Sequence, residues 1–195
     1  MSLMDNKNKQ QKQIICHSGG AIGADTFFEA IGELYGVKTM AYSYKTPYHK
    51  SKNKVEISEL DFLKGVQKVE IAQKTLKRKT FHKHLNLLSR NWQQIKNAKQ
   101  IFAVSKIIFK SGVECVSGGT GWAIQMAIDT KKEVFVFDQE QNTWFKWSYT
   151  KAKFYTLKTA PKITKRDFAG IGARKIKQNG IRAIEELYKL SFNKQ

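Results

Sequence analysis

Two glycine-rich corners constrain this chain more than any other feature. Ser18-Gly19-Gly20-Ala21-Ile22-Gly23-Ala24-Asp25 follows a short apolar run and precedes a helical pattern; Ser117-Gly118-Gly119-Thr120-Gly121 repeats the arrangement about a hundred residues later. Strand, tight turn and helix in that order build the βαβ unit. The runs IFAV (101–104), VECV (113–116) and VFVF (134–137) are apolar without alternation, Glu114 apart. Runs of this kind predict strands covered on both faces, as in a parallel sheet between helical layers. The expected fold class is α/β: a Rossmann-like, doubly wound, mostly parallel sheet with helices on both faces. Ligands of such sheets lie beyond the carboxyl ends of the strands near the switch point, and both corners belong at that edge.

The remaining elements follow from periodicity. Residues 13–17 read as the first strand. Phe27, Ala30, Ile31 and Leu34 fall at i, i+3, i+4 and i+7, predicting a helix from Asp25 to Tyr35 with that face inward and Gly36 as its C-cap. Thr39 to Tyr44 reads as a second strand and Thr46 to Asn53 as a polar loop. Helical spacing returns from Ile57 to about Arg78, through Leu60, Leu63, Val66, Ile71 and Leu76, then over Leu85–Ala98 and Thr120–Thr130. Thr143–Lys158 alternates aromatic and polar residues and predicts a hairpin or two edge strands. Gly170 and Gly172 read as a third Gly-x-Gly turn, before a last helix through Ile181, Ile184, Leu187 and Tyr188. Residues 13–142 are thus expected to form the ligand-binding domain. Residues 143–195 should add a basic, aromatic hairpin and helix packed on it, and residues 1–12 read as a disordered leader.

Composition sorts the possible partners. The chain is 41% apolar and 12% aromatic, enough for a sizeable core. No window approaches 18 uninterrupted apolar residues, so no membrane partner is expected, and the polar N-terminal stretch lacks the apolar segment of a signal peptide. Cys16 and Cys115 follow no metal-binding spacing and read as reduced core residues of a cytoplasmic protein. His82 and His84 have no carboxylate or cysteine at a ligating interval, so neither a metal nor a cofactor is expected. Lys and Arg total 35 against 16 acids, a net charge of +19. That balance favours an anionic partner, although the basic residues are spread along the chain as on an ordinary lysine-rich surface.

The corners suggest what the anion is. Glycines let the backbone approach a ligand closely, and the helix behind each corner directs its free N–H groups and positive dipole end at the same place. Ser18, Gly19, Gly20 and Gly23 form the first candidate phosphate site, and Gly118, Gly119, Thr120 and Gly121 the second. Arg90 and Asn91, on a helix before a buried strand, are candidates to close a guanidinium fork over a phosphate. Asp25 either caps its helix or binds a sugar hydroxyl or base. A plain tight turn with an aspartate cap, and a surface arginine, would also read this way.

These residues resemble a known group. "SGGAIGAD", "LSRN" before "KQIFAV", and "GGTGWAIQMAIDTKKEVFVFD" are similar to motifs of the SLOG superfamily. That superfamily includes the DNA-processing protein A family, the lonely-guy phosphoribohydrolases and molybdenum cofactor carrier proteins. The likeness covers roughly residues 13 to 138 and is nearest to uncharacterised bacterial and phage members, whose tail phrase "FAGIGARKIKQNG" resembles. It implies a Rossmann-like fold and a nucleotide or nucleotide-derived ligand; superfamily members often form homodimers. The departures bear on turnover. Phosphoribohydrolases of this type carry Pro-Gly-Gly-x-Gly-Thr-x-x-Glu at the second corner. Here Val116-Ser117 precede the glycines, Trp122 replaces the threonine and Gln125 replaces the glutamate. Glutamine has no ionisable proton and cannot act as a general acid or base.

Three functions are compatible with these readings. The first is binding of a nucleotide-derived phosphate ligand between the two corners without turnover. The second is an N-glycosidase of the phosphoribohydrolase kind, with Asp25 supplying the missing carboxylate. The third is binding of single-stranded nucleic acid, in which the aromatic residues of Thr143–Lys158 stack bases while lysines hold phosphates.

Overall fold

The computed structural model describes residues 13–49, 51–78 and 82–192, the side chains of 82 and 83 excepted. The leader expected at residues 1–12 and the side chain of His82 lie outside them. β1 (Ile15–Ser18) ends at the first glycine corner, and α1 (Ala24–Leu34) follows. The chain continues through β2 (Lys38–Ser43), β3 (Lys54–Glu56), α2 (Glu59–Leu76), α3 (His82–Asn97) and β4 (Gln100–Ser105). Next come β5 (Ile107–Lys110), β6 (Val113–Val116), α4 (Thr120–Asp129) and β7 (Glu133–Asp138). β8 (Thr143–Ser148), β9 (Lys153–Thr156), β10 (Asp167–Gly172) and α5 (Gln178–Phe192) complete it. Eight strands form one sheet in the order β3-β2-β1-β10-β4-β7-β8-β9. The pairings from β3 to β7 are parallel, and β8 and β9 are added antiparallel. The fold is therefore the expected mostly parallel, Rossmann-like α/β sheet. Among the described residues no helix is long and apolar enough to cross a membrane.

Central strands carry apolar residues on both faces because both faces are covered. Ile101 and Ala103 of β4 join Val69, Ile95 and Ile124 under α2, α3 and α4. Phe102 and Val104 of the same strand join Phe28, Ile184 and Tyr188 under α1 and α5. Phe102 stacks on Phe135 with centroids 5.0 Å apart and meets Phe168 and Trp144 edge-on. Burial of each such ring contributes about 1.5–3 kcal/mol. Tyr188 is fully buried, and its hydroxyl donates to Phe28 O at 2.9 Å, so no polar group is stranded there.

Several sequence expectations need correction. VECV is not a strand of the main sheet: β6 pairs only with β5, in a separate antiparallel hairpin. The two residues between these strands, Ser111 and Gly112, both have positive φ (54° and 77°), as a two-residue hairpin of primed type requires. Gly170 and Gly172 do not form a third turn. They belong to β10, a central strand between β1 and β4. Glycine stands there because a Cβ at Gly170 would lie 2.3 Å from Phe28 Cγ, and one at Gly172 would lie 2.3 Å from Val104 O. The last part of the chain is thus woven into the middle of the sheet.

The inward faces of two helices also differ from the periodicity. α1 buries Ala24, Phe28, Ile31 and Gly32, whereas Leu34 is 83% exposed. α2 buries Gly65, Val69, Ala72 and Leu76, leaving Leu60, Leu63 and Ile71 exposed. A Cβ at Gly65 would lie 2.2 Å from Ser89 O, so α2 and α3 touch backbone to backbone at that glycine, and this contact selects the buried face. The Thr143–Lys158 hairpin forms as expected, but Trp144, Phe145 and Phe154 are buried in it, so most of its aromatic surface packs on the core.

Cys16 and Cys115 are both free and buried. Burial pushes the Cys16 thiol up to about 12, which suppresses its thiolate at neutral pH. A Cys115→Ser chain should leave Cys16 unlabelled by a disulfide reagent in the native state and titrate one thiol in guanidinium. Rapid native labelling would contradict the burial.

Candidate functional site

The carboxyl ends of β1, β10 and β4 and the corner after β6 surround a cavity of about 620 Å³. It lies at the sheet's switch point, where ligands of this architecture are held. Of the residues singled out from the sequence, Asp25, Arg90, Asn91, Gly118, Gly119 and Thr120 line it together. Ser18, Gly23 and Gly121 do not. Ser18 is fully buried, and its hydroxyl donates to Glu29 Oε1 at 2.9 Å and accepts from Gly20 N–H at 3.2 Å. At Gly23 a Cβ would lie 2.4 Å from Ala173 O, and at Gly121 one would lie 2.1 Å from Val116 O, so both serve close backbone packing. Gly19 and Gly20 face a neighbouring hollow.

The two corners use their N–H groups differently. In the first, Gly20 N–H is taken by Ser18, Ala24 N–H donates to Ala173 O at 3.1 Å, and Ala21 N–H bonds the Asp25 carboxylate. Three N–H groups of this corner are thus taken by the protein's own acceptors. In the second, the N–H groups of Gly118, Gly119 and Thr120 have no acceptor among the described residues, and they stand at the N-terminus of α4. On the cavity wall, Gln94 Nε2, Ser105 Oγ and Trp122 Nε1 are also buried without a partner among the described residues.

Asp25 and Arg90 are 6% and 3% exposed, with Arg90 Nη1 3.9 Å from Asp25 Oδ2. Arg90 Nη1 also donates to Gln94 Oε1, one helical turn on, at 3.0 Å. Asp25 Oδ1 accepts from Gly172 N–H at 3.1 Å. Burial pushes the Asp25 carboxyl up to about 6, against the opposing pull of Arg90 and of the Gly172 and Ala21 N–H groups. Burial likewise lowers the Arg90 guanidinium from its ordinary value. Among the described residues Asp25 is the sole carboxylate on the cavity wall, while Arg90, Arg174 and Lys175 give the cavity a positive balance.

Gln125 is not part of the wall. Its amide donates to Asp129 Oδ1 at 2.8 Å, along α4. Local pattern does not single out Arg174 and Lys175, because the "GIGARK" segment reads as a turn; as the exit of a central strand it delivers both cations to the rim. Arg78, at the end of α2, was also missed. Its Nη2 donates to Val116 O at 3.0 Å, and its guanidinium lies 5.2 Å from the Trp122 ring centroid, clamping the strand before the second corner. Among the described residues no group of three His, Cys, Asp or Glu is placed to hold a metal ion. No family profile matches this chain, and neither curated proteins nor solved structures give a significant match.

Proposed function

We propose that this protein binds a nucleotide or nucleotide-derived phosphate ligand and does not turn it over. The observation that carries the reading is the second corner: three N–H groups without acceptors among the described residues, at a helix N-terminus, bordering a cationic cavity with three further buried polar groups, on Gln94, Ser105 and Trp122, that have no partner among them either. A phosphate at Gly118-Gly119-Thr120 satisfies these donors and gains from the helix dipole. Asn91 and Ser105 then face the sugar, and Arg90 supplies charge from the wall. The motif resemblance to the SLOG superfamily points to the same ligand class. Binding without turnover rests on the wall chemistry. Gln125 bonds Asp129, and Asp25 is held by two backbone N–H groups beside Arg90.

Calorimetry with AMP should show binding tighter than about 1 mM, or about 4 kcal/mol, and Gly119→Asp should abolish it by placing a carboxylate at the phosphate position. Absence of binding, or a Gly119→Asp chain that binds as the wild type does, would refute the reading. A second reading has one observation in its favour: a carboxyl near pKa 6, as Asp25 is, suits a general acid. Release of free adenine from AMP by the wild type, lost in Asp25→Asn, would establish that reading instead.

A further inference from the structure

A second hollow, of about 580 Å³, adjoins the first. The two share Ala21, Ile22, Leu87, Arg90 and Arg174, which together form a saddle between two chambers. Each chamber alone has the size of a small-molecule site. Their chemistry differs. The first has backbone donors and cations. The second is walled by Tyr44, Tyr48 and His49 and carries two carboxylates, Glu29 and Glu33, the latter paired with Lys52 of the same wall. Tyr48 is 86% exposed at its rim, an aromatic ring with no cover. His49 donates from Nε2 to Gly19 O at 3.0 Å, which fixes the ring beside the saddle and leaves Nδ1 without a partner among the described residues. Glu29 accepts from Ser18 and Ser51 at 2.9 and 2.6 Å, so one carboxylate of this wall is held rigidly.

From this arrangement we infer that the ligand is two-headed: two ring-bearing ends joined through an anionic linker, one end in each chamber and the linker over the Arg90–Arg174 saddle. This rests on the nucleotide-binding reading and narrows it to a ligand class, the dinucleoside-diphosphate type. Glu33 is paired with Lys52 at 2.5 Å, and Glu29, with no ion-pair partner among the described residues, disfavours a phosphate beside it; the open cations lie at the saddle and in the first chamber, where the anion is held. Aromatic walls with carboxylate acceptors suit a base with its exocyclic amine, or a sugar with its hydroxyls. Arg174 is exposed and has no ion-pair partner among the described residues, and it stands on the border of both chambers. A linker phosphate there completes its pairing.

The test compares two probes with the same diphosphate, ADP and diadenosine diphosphate, by calorimetry. ADP carries the larger charge, so any advantage of the two-headed probe comes from its second ring. The two-headed probe should bind about 100-fold more tightly, as expected when a second contact becomes intramolecular, with one molecule per chain. Tyr48→Ala should lower that affinity ratio about tenfold, the effect of losing one stacked base, and Arg174→Ala should weaken both probes. Both side chains are exposed, and retained thermal unfolding midpoints will confirm that the variants fold. Equal affinities of the two probes for the wild type, or an unchanged ratio in Tyr48→Ala, would overturn the two-headed ligand while leaving nucleotide binding in place. Failure of AMP, ADP and the two-headed probe alike would remove both.

Discussion

Gly19→Ala is expected to destabilise the fold by about 3–5 kcal/mol, the cost of splitting a buried ion pair, and to abolish ligand binding with it. The cause is a single methyl group. A Cβ at position 19 would lie 1.4 Å from Arg90 Nη1, 2.5 Å from Arg90 Cζ and 2.6 Å from Asp25 Oδ2. An exposed arginine would swing aside. Arg90 is 3% exposed and tied to Gln94, so the pair must part or β1 must shift. Gly19 is not in the left-handed region of φ, so the effect is steric and not conformational. Gly119→Ala is the matching control. Its φ is −63°, and its Cβ would meet only Leu88 Cδ2, at an ordinary 3.5 Å. That variant should keep its stability within about 1 kcal/mol. Urea unfolding of the two variants decides the matter, and equal stabilities would show that the Arg90–Asp25 contact does not govern the first corner.

Arg90→Met should be clearly damaging near pH 8 and almost harmless near pH 4. The folded-state pKa of Asp25, about 6, lies above the ordinary carboxylate value of about 3.9. The native chain therefore holds that proton more tightly than the unfolded chain does. The group's contribution to stability falls as pH rises between those two values. Removing the guanidinium takes away the charge that opposes desolvation and raises the Asp25 pKa further. The loss relative to wild type should approach but not exceed about 2.7 kcal/mol at pH 8, about two pH units above the wild-type value at about 1.36 kcal/mol per unit, because a carboxyl raised further keeps its proton there. It should shrink as pH drops through 6 and vanish near 4, where Asp25 is neutral in both chains. Asp25→Asn combined with Arg90→Met should flatten that dependence and be less damaged at pH 8 than the single variant. Thermal midpoints from pH 4 to 8 provide the check; a loss independent of pH would assign Arg90 a packing role alone.

Both results turn on contacts that no local pattern specifies. The residue types of the candidate site were legible: Asp25, Arg90, Gly118, Gly119 and Thr120 were singled out and meet in one cavity. What each does was not. The two corners look alike in sequence, yet Ser18, Ala173 and Asp25 take three N–H groups of one, whereas those of Gly118, Gly119 and Thr120 in the other have no acceptor among the described residues. That distinction depends on β10 bringing Ala173 and Gly172 beside a corner about 150 residues earlier. Gln125 illustrates the same limit, since its position in the motif suggested a place in the site and its side chain bonds Asp129 along the helix.

The fold class was determined by the sequence alone, because uninterrupted apolar runs tolerate few environments other than strands covered on both faces. Helix positions followed equally from spacing. Which face of α1 and α2 turned inward did not, since apolar residues were available on more than one side of each; in α2 backbone contact at Gly65 selected among them. Only the tertiary structure decided that Asp167–Gly172 is a central strand and that Val113–Val116 pairs outside the main sheet. Strand order is a long-range property: a short Gly-rich segment is a turn or a strand according to whether neighbours arrive to bond it. Here β1 and β4 arrive on either side, and the cavity between the corners exists because they do.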